Sequence, residues 1–361
     1  MPQATLLPNA ERFSGPTTAF WTEKPMSLLP RIAAIPFVLG LLAAPIAAQE
    51  SPVLTVYAYG SFVSEYGPGP LVEERFEAEC GCTLEWVTSD DAGTLLSRLK
   101  LEGESTEADV VLGLDTNLMA EAVETGLFQP HGLEPGALEL PVEWTDATFL
   151  PFDWGWFAFV YDAARLAEPP ASLEDLVDGE DGPTIVIQDP RTSTPGLGLL
   201  LWMREVYGDG AAEAWGKLAP KIVTVTQGWS EAYGLFLKGE ADMALSYTTS
   251  PAYHISAEGK DQYKAAIFPE GHALQIEVAG MTRTTDNPAL ARDFLRFMLT
   301  EPFQSAIPER NWMYPATPIE GGLPASFAGL ERPEKSLFMP PDTVSANRRQ
   351  WVDEWLQAMG R

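Results

Sequence analysis

Residues 53–59 read VLTVYAY, and the fold class follows from this stretch and the segments after it. Its side chains alternate between two faces, which predicts a β-strand. A Gly-Pro turn at residues 67–70 leads into a helix. The pattern then predicts a strand at Thr83–Thr88, a helix at about Thr94–Leu101 and a strand at Ala108–Gly113. This β-α-β-α-β order is typical of a parallel sheet, where ligands bind beyond the carboxyl ends of the strands.

The middle of the chain repeats the same alternation. Strands are predicted at Thr184–Gln188, Ile222–Val225 and Met243–Tyr247, with helices at Gly196–Val206 and Trp229–Leu237 between them. Two similar α/β lobes are the simplest organisation that explains both halves.

Two extended segments are predicted to connect the halves. Residues 152–161 read FDWGWFAFVY, an aromatic run that we interpret as a strand crossing between lobes, and residues 274–280 are the predicted return strand. The Pro- and Gly-rich residues 320–341 indicate a surface wrap. A stripe containing Trp351 and Trp355 predicts a last helix that docks onto the core.

The composition is that of an acidic globular protein. Of the 361 residues, 45% are hydrophobic and 20% are charged, which excludes a disordered chain. The 23 basic and 51 acidic residues give a net charge of −28, which argues against nucleic acid and anionic membranes as partners. Three histidines and two cysteines leave few candidates for a metal site or a Ser-His-Asp enzyme, so neither is expected.

The N-terminal region carries an export pattern. Within residues 26–48, Arg31 precedes an apolar run that small residues follow, as in a secretory signal peptide. The run is too short for a permanent membrane span, so a retained anchor is the less favoured alternative. We expect cleavage after Ala48. Because residues 1–25 have no signal-like pattern, we expect translation to start at Met26.

A single glycine separates Cys80 from Cys82. In an oxidising compartment the two can form a disulfide, with Gly81 permitting the tight turn, and free thiols are the alternative. Two cysteines alone provide too few ligands for a metal.

Two hydroxyl-rich turns each follow a predicted strand and precede a proline. In the first, Thr194 is the predicted N-cap of a helix and Pro195 its first helical residue; the second covers residues 246–253. Together they suggest a cradle for a phosphate or hydroxyl group, and plain capping is the alternative. Arg191 either supplies charge there or pairs with Asp189.

Aromatic and acidic residues crowd the same strand ends. Aromatic rings in loops are suited to stacking on a flat or cationic ligand. Asp90 and Asp91 follow the second strand, either as an N-cap or as a carboxylate that faces a ligand amine or cation. The aromatic candidates are Tyr59, Trp229, Tyr247, Tyr253 and Trp312.

Several of these stretches resemble the periplasmic thiamine-binding proteins of bacterial thiamine ABC transporters. The similarity covers roughly residues 50–361, and its most specific runs are DPRTSTPGLGLLLW at residues 189–202 and GWSEAYGLFLKGE at residues 228–240. The resemblance implies an α/β, two-lobed type II periplasmic-binding-protein fold with a hinge and an interlobe ligand cleft.

On that basis we expect residues 49–152 and about 276–361 to form lobe 1, and residues 153–275, with the hinge strands, to form lobe 2. The resemblance also implies a periplasmic protein that captures thiamine, thiamine monophosphate or thiamine diphosphate and delivers it to an inner-membrane ABC permease with its ATPase. We expect no cofactor, and a monomer suits such a diffusing shuttle.

The family's cleft maps onto both groups of residues. Trp229, Tyr59 and Trp312 are expected to stack on the rings, Asp91 to accept from the pyrimidine amine or offset the ring charge, and the hydroxyl turns to hold the other end. The chain departs from the family at Gly60, where the family has Asp, and at Ala92, which can contribute only its backbone. The implied binding residues are Tyr59, Asp91, Ala92, Ser193, Thr194, Trp229, Tyr247, Thr248, Thr249, Ser250, Tyr253 and Trp312.

Two alternatives remain at this point. A protein of the same fold can bind another cationic or phosphorylated small molecule. A thiaminase-like enzyme needs a cleft cysteine beside a base, whereas Cys80 and Cys82 precede the second strand and lone His254 is more often structural. We therefore expect a binding protein rather than an enzyme.

Overall fold

Eight of the twelve strands in the described residues form one hydrogen-bonded path, and the other four pair beside it. The structure is a computed structural model that describes residues 51–360, so the predicted signal peptide, with Met26 and Ala48, lies outside the described residues. The strands are β1 (Val53–Tyr59), β2 (Thr83–Ser89), β3 (Val110–Asp115), β4 (Phe128–Gln129), β5 (Phe149–Asp162), β6 (Ile185–Gln188), β7 (Ile222–Thr226), β8 (Met243–Tyr247), β9 (Tyr263–Ala266), β10 (His272–Thr282), β11 (Tyr314–Pro315) and β12 (Ser336–Leu337).

Helices connect most of these strands. None of those within residues 51–360 is both long and apolar enough to cross a membrane. The helices are α1 (Gly60–Val63), α2 (Gly69–Cys80), α3 (Ala92–Glu102), α4 (Met119–Glu124), α5 (Leu173–Asp178), α6 (Thr194–Tyr207), α7 (Ala211–Leu218), α8 (Trp229–Leu237), α9 (Pro251–Tyr253), α10 (Pro288–Phe297), α11 (Glu301–Gln304) and α12 (Pro341–Ala358).

Both predicted β-α-β halves are confirmed. The path runs β2-β1-β3-β10-β5-β8-β6-β7. At one end β1 is parallel to β2 and β3, and at the other end β6 is parallel to β7 and β8. Parallel neighbours need crossover connections, and here helices supply them.

The crossing strand β5 belongs to both halves, as predicted from its aromatic run. Its first part pairs with β10, ending at Trp156 opposite Leu274, and its second part pairs with β8, starting at Phe157 opposite Tyr247. Because it is covered on both faces, almost every residue of β5 is buried. The return strand β10 also pairs with β3, so it completes the first sheet.

Helix α12 contacts elements of both halves. Its Trp355 is fully buried against Trp215 of α7, at 6.3 Å between ring centroids, and its Arg348 pairs with Glu121 of α4. The predicted docking of this helix onto the core is therefore confirmed. The lobe boundaries, with the C-terminal residues assigned to lobe 1, stay a prediction.

A disulfide between Cys80 and Cys82 closes the turn after α2. Gly81 ends the helix with φ of 62°, in the left-handed region that favours glycine. This turn precedes β2 at its amino end, so it lies away from the carboxyl ends of the strands.

The substitution Gly198→Ala tests how tightly α6 is seated on β5. A Cβ at Gly198 would lie 2.1 Å from the ring of Phe157, so we expect the free energy of unfolding to fall by about 1–3 kcal/mol. Gly216→Ala in α7 is the matched control, because its Cβ meets nothing within 4 Å, and it should gain about 0.5–1 kcal/mol. Urea denaturation measures both, and equal effects would contradict this packing.

Candidate ligand-binding site

A cavity of about 430 Å³ lies beyond the carboxyl ends of strands from both halves. Tyr59 ends β1 and Tyr247 ends β8, while Asp91, Thr194 and Trp229 follow β2, β6 and β7. All five line the cavity. The parallel strands therefore deliver both sets of turns to one place, as the sheet topology predicts.

Eight of the twelve implied binding residues line this cavity. The other four are buried behind it. Ala92 donates its N–H to the Asp91 carboxylate, Ser193 donates its hydroxyl to the same group, and the Thr248 N–H donates to the Trp156 carbonyl. The lining members are Tyr59, Asp91, Thr194, Trp229, Tyr247, Ser250, Tyr253 and Trp312, and the fourth buried residue is Thr249.

Asp91 joins the two halves of the cavity. As N-cap of α3, it accepts from its own helix through Ala92 N at 2.8 Å. From the opposite half its carboxylate accepts from Ser193 Oγ at 2.7 Å, Thr194 N at 3.2 Å and Trp229 N at 3.4 Å. Burial raises the pKa of Asp91, although these hydrogen bonds favour its ionised form. The capping interpretation of Asp91 is therefore correct, and its carboxylate serves the interlobe contact as well.

The prediction that Thr194 caps α6 is wrong by one residue. Ser193 is the N-cap, with extended φ and ψ of −120° and 139°, and Thr194 is the first helical residue. The Ser193 hydroxyl does not cap the helix because it donates to Asp91. Arg191 pairs with Asp189, Nε to Oδ1 at 2.9 Å, so the structural alternative for Arg191 is correct.

The second hydroxyl turn supports the wall of the cavity. Ser246 Oγ contacts Ser250 Oγ at 2.7 Å and accepts from Trp229 Nε1 at 2.8 Å. Ser250 Oγ also accepts from Tyr247 N at 3.2 Å. These hydroxyls therefore fix the indole of Trp229, and the helix that follows, α9, has only three residues.

Aromatic rings form the walls. Trp229 stacks on Tyr233 with 5.0 Å between ring centroids, and Tyr253 meets Trp312 edge to face at 5.5 Å. Trp312 has φ of 57°, the only positive φ of a non-glycine residue within residues 51–360. A bulky residue adopts this conformation only where its surroundings impose it, which makes Trp312 a functional candidate on backbone grounds too.

Sequence reasoning missed the polar floor of the cavity. Glu277 on β10 lines it, 7% exposed, and accepts from Tyr59 Oη at 2.7 Å. Asn311 also lines it and donates to Tyr59 Oη at 3.0 Å. A glutamate within the predicted return strand was the available signal, because buried charges are rare without a role. Burial and Glu277 hold the pKa of Tyr59 well above its usual value.

His254 has a structural role, as expected for a lone histidine. Its ring nitrogens contact Tyr233 Oη and Glu258 Oε2, each at 2.9 Å, and burial lowers its pKa. Within the part of the chain that the structure describes, no group of three or more His, Cys, Asp or Glu side chains has metal-site geometry.

Two α/β halves, two connecting strands and an interlobe cavity define a type II periplasmic binding protein. The chain belongs to the family of bacterial extracellular solute-binding proteins, whose model matches residues 73–318.

Three proteins similar to this chain carry the name of thiamine-binding proteins. The chain is 55% identical over 321 residues to the thiamine-binding periplasmic protein of Salmonella typhimurium, covering 89% of this chain and 97% of that protein. It is 56% identical over 315 residues to the protein of the same name from Brucella abortus, covering 87% and 94%. A solved periplasmic thiamin binding protein matches with a TM-score of 0.84 at 55% identity, over 86% of this chain and 97% of that one.

Removing the Asp91 carboxylate should destabilise the folded protein far more than removing the carboxylate of Asp90. Asp91→Ala loses a helix cap and the interlobe hydrogen bonds, so we expect the free energy of unfolding to fall by about 2–4 kcal/mol. Asp90 is exposed, and Asp90→Ala should change it by no more than about 0.5 kcal/mol. Chemical denaturation compares the two, and similar losses would refute the role given to Asp91.

Proposed function

We propose that this protein binds thiamine in the interlobe cavity. The observation that carries the proposal is an aromatic-walled cavity with an acidic floor, in a chain 55% identical to named thiamine-binding proteins. Thiamine offers an aminopyrimidine ring and a permanently cationic thiazolium ring. Aromatic faces attract such a cation, and buried acceptors suit an amine.

Each wall residue has a distinct task in this proposal. Trp229 and Trp312 stack on the ligand rings from opposite halves, and Tyr59 completes the pocket beside Glu277. Asp91 holds the halves together at the edge of the bound ligand. Contacts from both halves favour the closed arrangement over an open one by their differential affinity.

Thiamine phosphates fit the same cavity with their phosphate toward its mouth. Exposed Arg310 lines the cavity and supplies positive charge there. Thr194 and Ser250 lie on the lining as well, so we propose thiamine monophosphate and diphosphate as further ligands. Arg191 is not part of that site, because it pairs with Asp189.

The proposed role is transport rather than catalysis. The protein would act as a periplasmic monomer, without a cofactor, and deliver its ligand to an ABC permease and its ATPase. A thiaminase-like reaction needs a nucleophilic cysteine in the cleft, whereas Cys80 and Cys82 are joined to each other in the turn before β2.

The direct test is a tryptophan-fluorescence titration of residues 49–361 with thiamine, thiamine monophosphate and thiamine diphosphate. Saturable quenching, with the ligand intact by mass spectrometry afterwards, is expected. Cleaved thiamine would point to the enzyme alternative. No response to any of the three would overturn the proposed ligand and leave another cation or phosphorylated molecule as the candidate.

Trp229→Ala should weaken thiamine binding by about 1–2 kcal/mol, or roughly 5–30-fold in Kd, through loss of the cation–π face. Trp229→Phe keeps an aromatic face and should lose far less. Calorimetric titration measures both, with circular dichroism to verify folding. An unchanged Kd in the alanine variant would remove Trp229 from the site.

The exported protein should begin at Gln49, because the pattern at residues 26–48 is that of a cleaved signal peptide. Intact-mass measurement of protein from the periplasm tests this. A mass that includes residues 26–48 would instead indicate a retained anchor.

A further inference from the structure

Three buried carboxylates lie side by side on neighbouring strands under the cavity. Glu277 of β10 is the register partner of Asp115 on β3 and of Asp153 on β5. Asp115 and Asp153 are fully buried and Glu277 is 7% exposed. Among the ion pairs within residues 51–360, none involves any of the three.

Asp153 and Glu277 form a pair of carboxyl groups in which one oxygen atom lacks a hydrogen-bond donor. Glu277 accepts from Tyr59 Oη at 2.7 Å and from Gln275 Nε2 at 3.0 Å. Asp153 Oδ2 accepts from Asn311 Nδ2 at 2.6 Å, but buried Asp153 Oδ1 has no hydrogen-bond donor. Glu277 Oε2 lies 3.5 Å from the same Asn311 Nδ2, so the two carboxyl groups flank one amide, and a proton between them would supply the missing donor.

The third carboxylate, Asp115, receives its hydrogen bonds from the backbone. Its Oδ1 accepts the backbone N–H groups of Asn117 at 2.9 Å and Leu118 at 3.1 Å. It therefore needs no shared proton, although burial raises its pKa to about 7. Its place in the same row makes it the natural control for the pair.

The surroundings favour a proton on the Asp153–Glu277 pair when the cavity holds no cation. Burial raises the pKa of Asp153 to about 7, and burial together with the nearby Asp153 charge holds the pKa of Glu277 well above its usual value. The other titratable groups facing the pair are Tyr59 from β1, Asp115 from β3 and Tyr247 from β8; both tyrosines have pKa values raised well above 10 and stay neutral. Among the lining residues the cation is Arg310, which is exposed at the mouth.

We propose that Asp153 and Glu277 share one proton in the ligand-free protein and release it to solvent when a cationic ligand enters the cavity. This inference rests on the proposed function, because it assigns the positive charge of thiamine to a particular acceptor. Glu277 is then the residue that selects for positive charge, since it is the member of the pair that reaches the cavity.

The exchange keeps the charge of the site constant. With the shared proton the pair carries one negative charge. Breaking the O–H bond sends the proton to water or buffer and leaves two negative charges, one of which the thiazolium balances. A buried dicarboxylate is costly when unbalanced, so proton release and cation entry are coupled.

Calorimetric titration with thiamine, at one pH in buffers of different ionisation enthalpy, counts the protons released. We expect up to about one proton per thiamine near neutral pH, and an affinity that rises by up to about tenfold per pH unit while the free pair is protonated. The affinity should level off above the raised pKa of the pair, because no proton remains to be displaced.

Three isosteric variants locate the proton. Asp153→Asn should abolish proton release and flatten the pH profile, because its amide permanently donates to Glu277. Glu277→Gln should do the same and weaken thiamine binding by more than about tenfold. Asp115→Asn should keep the proton release. Thiochrome, the uncharged oxidation product of thiamine, should bind more weakly than thiamine and release no proton.

The outcomes are distinguishable. Thiamine binding with the same enthalpy in every buffer and no pH dependence would overturn the proton exchange and leave the proposed function standing. Release that is lost in Asp115→Asn but kept in Asp153→Asn would place the proton on the wrong carboxylate for this proposal. No thiamine binding at any pH would overturn the proposed function and the proton exchange with it.

Discussion

The Asp91 carboxylate is the contact on which the shape of the cavity depends. One side chain caps α3 in the first half and accepts hydrogen bonds from the starts of α6 and α8 in the second. Helix N-termini carry partial positive charge, so a buried carboxylate is well placed between them. The positions of Trp229 and Thr194 relative to Tyr59 follow from this contact.

Most of the fold could be predicted because its signals are local. Alternation at residues 53–59, helix periods and turn residues identified both β-α-β halves, and the aromatic run identified β5. The strand boundaries shifted by only a few residues, as where β3 begins at Val110 rather than Ala108.

The chemistry of the cavity was harder to predict, because it depends on contacts that are distant in sequence. Asp90 and Asp91 look alike in the sequence, yet only Asp91 faces the opposite half. Glu277 and Asp153 meet because β5 and β10 pair in one register, and a local irregularity after Glu277 shifts that register. A one-residue slip would turn either carboxylate to the other face.

The position of β10 also constrains the order in which the chain can fold. This strand lies between β3 and β5, although it follows both by more than a hundred residues. Contacts so distant in sequence form late, because a long loop must close before they are made. The N-terminal half cannot complete its own sheet until residues 272–282 have been synthesised. Its hydrophobic core therefore stays incomplete while the chain is growing.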